Sequence, residues 1–418
     1  MTIYHSGFGG GETLDALIDG SKGAEGNAAL PSEGSLAVIS TPVQSGVGAL
    51  QVPASTAAYG VIHCEVRETC IWGLQAYLNF NGNPNSIVPV FAPYATTFTG
   101  AYIVEANATT RELRICLLGT DGDYATRTPI TPWSVAAIGN GSYTSVIFIV
   151  DPLTLGTDHV IGHLFVGGIQ EFCVDMGVYP AAMSGVARDY VVGTYGVSPN
   201  VALRIDDTCG LWTTSATDAP HLAAWPIAMV DAQHAVADST HNMFTMFPNG
   251  GESRWQDWDD ATGNDGDSTY LVGGTYGSAD AQNSTMESLA TLGWNASATV
   301  IEWKTATGGY SVCGPVLGFV CKSGAGTKFS ATTFCNLATA VSLDDPGSSY
   351  KGELRRLPRT SGVWARADAG TILPGLVMSA TGNDILLRVT TMMLQWLICN
   401  NEYLPLAATP MIPQGAMF

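Results

Sequence analysis

Short runs of strand-forming residues recur about every 8–12 residues along the first half of this chain, each closed by glycine, asparagine or aspartate. They are Ile3–Phe8, Ser35–Ile39, Ala49–Val52, Val61–Val66, Trp72–Phe80, Ala101–Glu105, Leu113–Leu118, Ser145–Val150, Val160–Val166, Ile169–Val174, Asp189–Val192 and Val201–Ile205. The turns between them include Thr120-Asp121-Gly122-Asp123 and Gly139-Asn140-Gly141, residue types that tolerate tight or left-handed backbone. Almost no apolar spacing of helical period interrupts them. A chain so punctuated is all-β, and its strands are too short and too regularly turned for anything but an antiparallel sandwich or barrel.

From Asp206-Asp207 to about Pro220 the composition shifts to threonine, serine and alanine, which predicts a domain boundary. A second set of strands follows at Ile227–Asp231, His241–Phe247, Ser268–Val272, Thr299–Lys304, Val316–Lys322, Ala338–Leu343 and Asp384–Trp396. Thr285–Leu292 reads as a short helix, and Val363–Met378 is mixed enough to hold another. The expected layout is two antiparallel jelly-roll sandwiches in tandem, residues 1–213 and 214–404, with an extended tail at 405–418. That tail carries three prolines, so it suits docking on its own domain or a neighbour better than forming a sheet.

The 36 acidic residues against 17 lysines and arginines give a net charge of −19. Nucleic acid and anionic membranes both require basic stripes, so neither is an expected partner. No stretch approaches the apolar length of a membrane span, and nothing after MTIYHSGFGG reads as a secretory signal. The nine cysteines are odd in number, widely spaced and without a CxxC pair, which suits reduced core thiols of a chain folded in a cytosol.

The most chemical stretch is Arg254–Gly274, RWQDWDDATGNDGDSTYLVGG. Trp255 and Trp258 lead into a loop bearing Asp257, Asp259, Asp260, Asp265 and Asp267. Clustered carboxylates on a turn suit a hard cation, so Asp257, Asp259, Asp265 and Asp267 are the candidate calcium ligands. The spacing is not that of an EF-hand, because counting from Asp257 places Ala261 at the third ligand position and no glutamate closes the loop. A solvated acidic loop with no bound metal is the plainer reading. Trp255 and Trp258 are the candidate glycan contacts, since indole faces stack on the apolar faces of sugar rings; filling a core or a subunit contact is the alternative.

The order of motifs carries a resemblance. Tyr4–Phe8, then Ser45-Gly46-Val47-Gly48-Ala49-Leu50-Gln51-Val52, then Val201–Ile205 followed by Asp206-Asp207, resemble the laminin G-like, concanavalin A-like jelly-roll domains of tailed-bacteriophage structural proteins. The second half resembles a module found in the same proteins, through the acidic loop leading to Asp267-Ser268-Thr269-Tyr270-Leu271, the strand Ala298–Lys304, Val363-Trp364 and the last strand Leu386–Trp396. Gly266 stands where that module prefers aspartate. The resemblance implies that the first and last strands of the first domain lie side by side, with the Asp-Asp pair ending the last strand. It further implies a virion protein folded in the host cytoplasm, with phage capsid or tail proteins as partners and a homo-oligomer, a trimer by analogy.

Catalytic patterns are weak. His159 and His163 would share one metal only on a helix, and their apolar neighbours predict a strand, where residues four apart lie about 13 Å from each other. Glu65, Glu68 and Glu302 do not match the Glu-x-Asp-x-x-Glu strand of jelly-roll glycosidases. Cys64 or Cys173 could act as a thiol nucleophile only with a distant histidine. Together with the resemblance to phage structural proteins, this implies a non-enzymatic virion accessory, a capsid decoration or cement protein or a head fibre, without a cofactor. The alternative is a tail-associated adhesion protein that binds host surface glycans.

Overall fold

The structure is a computed structural model that describes residues 2–6, 36–44, 49–62, 66–93, 100–119, 124–155, 158–183, 190–194, 196–214, 228–242, 245–247, 253–257, 270–273, 281–286, 296–305, 317–319, 322–323, 351–356, 372–373, 375–378 and 387–399. The expected strand Ala338–Leu343 and the tail at 405–418 lie outside these residues. Among the described residues there is no α-helix, only strands and three-residue or four-residue 3-10 turns. They divide into two compact units.

The first unit comprises β1 (Thr2–Ser6), β2 (Ala37–Ile39), β3 (Ala49–Val52), β4 (Tyr59–Ile62), β5 (Ile71–Phe80), β6 (Val88–Pro93), β7 (Tyr102–Ala106), β8 (Leu113–Leu117), β9 (Thr128–Pro129), β10 (Gly139–Asn140), β11 (Thr144–Asp151), β12 (His159–Val166), β13 (Ile169–Val178), β14 (Tyr190–Gly193) and β15 (Leu203–Thr213). They form two sheets. One runs β13-β12-β11-β5-β15-β3-β2, and the other runs β4-β14-β6-β7-β8-β9. All pairs are antiparallel except the two-residue β10–β5 contact. The sheets face one another through aromatic rings. Trp72 of β5 packs edge-on against Phe148 at 5.8 Å and tilts onto Tyr190 of the opposing sheet at 5.0 Å. The Tyr190 hydroxyl donates to the Tyr102 carbonyl at 2.7 Å, so the polar end of this buried ring is satisfied. The chain is an all-β protein built from antiparallel sheets in a sandwich.

Period-2 alternation explains β5. Trp72, Leu74, Ala76, Leu78 and Phe80 point to the facing sheet, and Gln75, Tyr77 and Asn79 to the other side. That other side is buried too, so the strand is covered on both faces.

The first strand lies along the last, with Thr2 opposite Trp212 and Ser6 opposite Thr208. The Asp-Asp pair does not end that strand, which continues to Thr213. At Asp206 the register with β5 slips, Asp206 facing Tyr77 and Cys209 facing Gln75. Asp207 takes a left-handed φ of 46°, as one strand must bend to hold an extra residue. Residues 203–205 pair with β3 and residues 208–212 with β1. The bulge therefore marks where β15 changes neighbours. Both carboxylates are fully buried. That of Asp206 accepts the backbone N–H groups of Gln44 at 2.8 Å and Asp207 at 2.9 Å. Burial, and then these two carboxylates, raise the hydroxyl pKa of Tyr77.

Edges are short or blocked. β2 has three residues, and β9 has two, one of them Pro129. Along β8 the segment after β9 satisfies the free edge partly with side chains: Leu113 N–H donates to Ser134 Oγ at 2.7 Å and Ile115 N–H to Thr131 Oγ1 at 3.0 Å. Ser134→Ala is expected to cost about 1–3 kcal/mol, because it leaves a buried N–H without its acceptor. Denaturant titration checks this, and an unchanged midpoint would contradict it. The long edge is β13, ten residues that among the described residues pair with β12 alone, with two register irregularities.

The second unit carries β16 (Ala228–Asn242), β17 (Thr245–Phe247), β18 (Tyr270–Gly273), β19 (Ala281–Met286), β20 (Ala296–Thr305), β21 (Leu317–Phe319), β22 (Lys322–Ser323), β23 (Lys351–Arg356), β24 (Ile372–Leu373), β25 (Gly375–Met378) and β26 (Leu387–Cys399). One sheet runs β17-β18-β26-β16-β19-β25-β21, with β20 pairing β26 and β23. Two expectations change here. Thr285 and Met286 end strand β19 rather than begin a helix, and the mixed stretch Val363–Met378 closes in strands β24 and β25.

Candidate functional site

The tryptophan–aspartate stretch enters the second unit as a 3-10 turn at Arg254–Asp257. Asp238 of β16 fixes it, its carboxylate accepting the N–H of Trp255 at 2.8 Å and of Arg254 at 3.2 Å. Ser253 and Gln256 close the turn reciprocally. Ser253 N–H donates to Gln256 Oε1 at 2.8 Å and Gln256 N–H to the Ser253 carbonyl at 3.0 Å. These bonds satisfy donors that a short turn leaves open. Trp255 sits half-buried on this anchored turn. Asp257 is its last residue, while Trp258, Asp259, Asp265 and Asp267 lie outside the described residues. No group of three or more metal-ligating side chains occurs among the described residues.

His159 and His163 lie on β12 as expected, one exposed and one buried. The exposed ring of His159 pairs with Asp175 at 2.9 Å, and that hydrogen bond lowers the Asp175 pKa. His163 lies directly across from Cys173, the one pairing here that resembles a nucleophile and its base. The electrostatics oppose that use. Burial lowers the His163 pKa, while burial and then Asp151 raise that of the Cys173 thiol, so the thiolate that would attack is disfavoured. Asp151 itself is occupied in the β11–β12 turn, accepting Leu153 N–H at 2.9 Å and Thr154 N–H at 3.0 Å.

Among the described residues the densest charged site centres on Glu105. Glu105 of β7 stands opposite Arg114 of β8, on the side of the sheet away from Tyr102 and the sandwich core. Its carboxylate is fully buried beneath the segment that follows β8. Oε1 accepts from Arg114 Nε at 2.6 Å and lies 2.5 Å from Nη2. Oε2 accepts from Arg127 Nε and from the Tyr124 hydroxyl. Each guanidinium lies over an aromatic ring: Arg114 over Trp133 at 4.1 Å and Arg127 over Tyr124 at 3.9 Å, within the range of cation–π attraction. Burial and then Glu105 push the nearby Cys116 thiol up to about 12, so it is unreactive at neutral pH. The sequence signal was one carboxylate among apolar neighbours in Tyr102-Ile103-Val104-Glu105-Ala106, in a chain only 13% charged.

Exposed apolar side chains stand at both ends of β13, which two register shifts against β12 interrupt. Ile169 at its start is 62% exposed and Val178 at its end 63%. Leu155, in the turn leading to β12, is 42% exposed, and Val135 is 91% exposed. Val135 is held near the strand by Glu171, whose carboxylate accepts the N–H of Val135 at 2.8 Å and of Ala136 at 3.3 Å.

No family model matches the chain, and no curated protein matches it significantly. Solved structures resemble it weakly. An endo-β-1,4-glucuronan lyase from the fungus Trichoderma reesei is 11% identical, with a TM-score of 0.33 over 47% of this chain and 92% of that one. Domain 4 of AbnA, an extracellular arabinanase from Geobacillus stearothermophilus in complex with arabinotriose, is 11% identical, with a TM-score of 0.34 over 50% and 90%. A carbohydrate esterase of the Shiga toxin-encoding bacteriophage phi24B is 12% identical, with a TM-score of 0.29 over 43% and 87%. Likeness of this degree assigns no activity and aligns no residue of this chain with theirs.

Proposed function

We propose that the chain is a non-enzymatic structural protein on the surface of a tailed-phage particle, a capsid decoration or cement protein or a head fibre. The observation that carries this reading is the β13 edge. Among the described residues it pairs on one side only, and Ile169 and Val178 stand exposed at its two ends, with Val135 held beside it by Glu171. Such an edge suits burial against a neighbouring subunit. Capsid or tail subunits, and copies of this chain in a trimer by analogy, are the partners that fit. The pairing of β1 with β15 that the phage-domain resemblance implied is consistent with this reading. The raised thiol pKa of Cys173 and the occupied carboxylates of Glu105 and Asp151 favour a mechanical role over a catalytic one.

The second reading is a tail-borne adhesion protein. It is favoured by Trp255, held half-exposed on a turn that Asp238 fixes in advance, since an aromatic ring ordered before binding loses less entropy when a sugar stacks on it. Calcium at the Asp257–Asp267 loop belongs to this reading.

Immunogold electron microscopy of purified particles, with antibody to the second unit, decides between them. Label over the head is the expected result. Label confined to the tail overturns the decoration role in favour of adhesion, and unlabelled particles overturn both.

A further inference from the structure

We propose that Arg114 and Arg127 form a binding site for a carboxylate-bearing saccharide, on the outer face of β7 and β8. The argument begins with charge. Two guanidiniums converge on one buried carboxylate, so among the described residues the cluster carries one net positive charge, in a chain whose net charge is −19. A structural ion pair needs only one arginine; the second makes the cluster cationic.

Geometry then supplies donors. Arg114 uses Nε and Nη2 on Glu105, and Arg127 uses Nε on Glu105 and Nη1 on the Tyr124 carbonyl at 2.8 Å. Among the described residues, Arg114 Nη1 and Arg127 Nη2 have no acceptor. The two side chains are 17% and 16% exposed, so these free groups lie at the solvent boundary, where partial desolvation strengthens a charge-assisted bond. Both guanidiniums are fixed before any ligand arrives, by Glu105 beneath and by the rings of Trp133 and Tyr124. Prior ordering of this kind removes most of the entropy cost of arginine recognition.

The neighbouring surface fits a sugar better than a bare ion. Trp133 is half-buried, and its segment is rigid, Ser134 N–H donating to the Leu113 carbonyl at 2.7 Å and Ser134 Oγ to the Ala136 carbonyl at 2.5 Å. Arg114 covers one face of Trp133, so a sugar would meet the exposed remainder of the ring beside the cationic fork, the pairing of apolar contact and carboxylate receptor that a uronic acid unit needs.

The test is isothermal titration calorimetry of the full chain with a glucuronate tetrasaccharide and with the uncharged glucose tetrasaccharide, at low and high salt. Binding of the charged sugar with a Kd below about 1 mM is expected, weakening with salt, and none of the neutral one. Arg127→Lys keeps a charge for Glu105 but removes the fork, and should weaken binding about tenfold with the thermal midpoint preserved. Should that midpoint fall, Trp133→Ala carries the same test through loss of the stacking surface. Absence of heat with the glucuronate sugar, equal binding of the neutral sugar, or unchanged affinity in both variants overturns the proposal.

Discussion

Glu105→Ala is expected to destabilise the first unit by about 3–5 kcal/mol, because it strands two guanidiniums over a buried site. The oxygens it removes are the acceptors for Arg114, Arg127 and Tyr124, and these bonds hold the segment after β8 against the sheet. Urea unfolding followed by hydrogen exchange of β7 and β8 measures the effect. Replacing the whole trio with apolar residues, Glu105→Met with Arg114→Leu and Arg127→Leu, should recover most of the loss, since no unpaired charge then remains. A loss below about 1 kcal/mol for Glu105→Ala would mean that both arginines swing into water at little cost. The trio would also abolish saccharide binding, so stability and recognition separate in one set of variants.

Trp72→Ala is expected to cost about 3–5 kcal/mol. Trp72 is fully buried and packs on Phe148 within its own sheet and on Tyr190 of the other, so its loss opens a cavity where the two sheets meet. Trp72→Phe should cost much less than half as much. Among the described residues the buried indole Nε1–H has no acceptor, a standing penalty of about 1–3 kcal/mol that phenylalanine removes. Denaturant titration of both variants checks the ratio. Equal losses would show that the indole shape, and not the aromatic contact, holds the sheets together.

The strand-and-turn rhythm of the first half was readable because β-branched and aromatic residues alternate there between turn residues. β3 matches its expected bounds, and β5, β8, β11 and β12 fall within one residue at either end. β6 was missed because Val88-Pro89-Val90-Phe91-Ala92-Pro93 carries two prolines, which argue against a ladder strand. The structure accommodates Pro89 at an irregularity, where the register with β7 slips between Pro89 and Phe91. β15 was ended eight residues early because two aspartates look like a turn; a bulge that buries both has no signature in a single sequence. In the second half, Ser284-Thr285-Met286 alternates too briefly to outweigh the helical spacing after it.

The candidate sites divide in the same way. Trp255 drew notice through its neighbours in sequence, and the turn that holds it depends on Ser253 and Gln256, three residues apart. Its anchor, Asp238, lies 17 residues away from it and carries no local mark. The Glu105 cluster depends on the β7–β8 register and on a segment folding back over it. Nothing in the spacing of residues 105, 114 and 127 announces either.

The pairing of Thr2 with Trp212 has a consequence for biosynthesis. The strand made first cannot take its place until the strand it needs has left the ribosome. At about 5–20 residues per second, β1 waits on the order of 10–40 s with its edge groups unmatched. Contacts of such sequence separation are also the slowest to form once the chain is complete. The nascent first half is thus exposed to mispairing with other copies for as long as β15 is missing. A chaperone that covers β-rich nascent chains would raise the yield of this protein more than that of a local-contact fold of equal length.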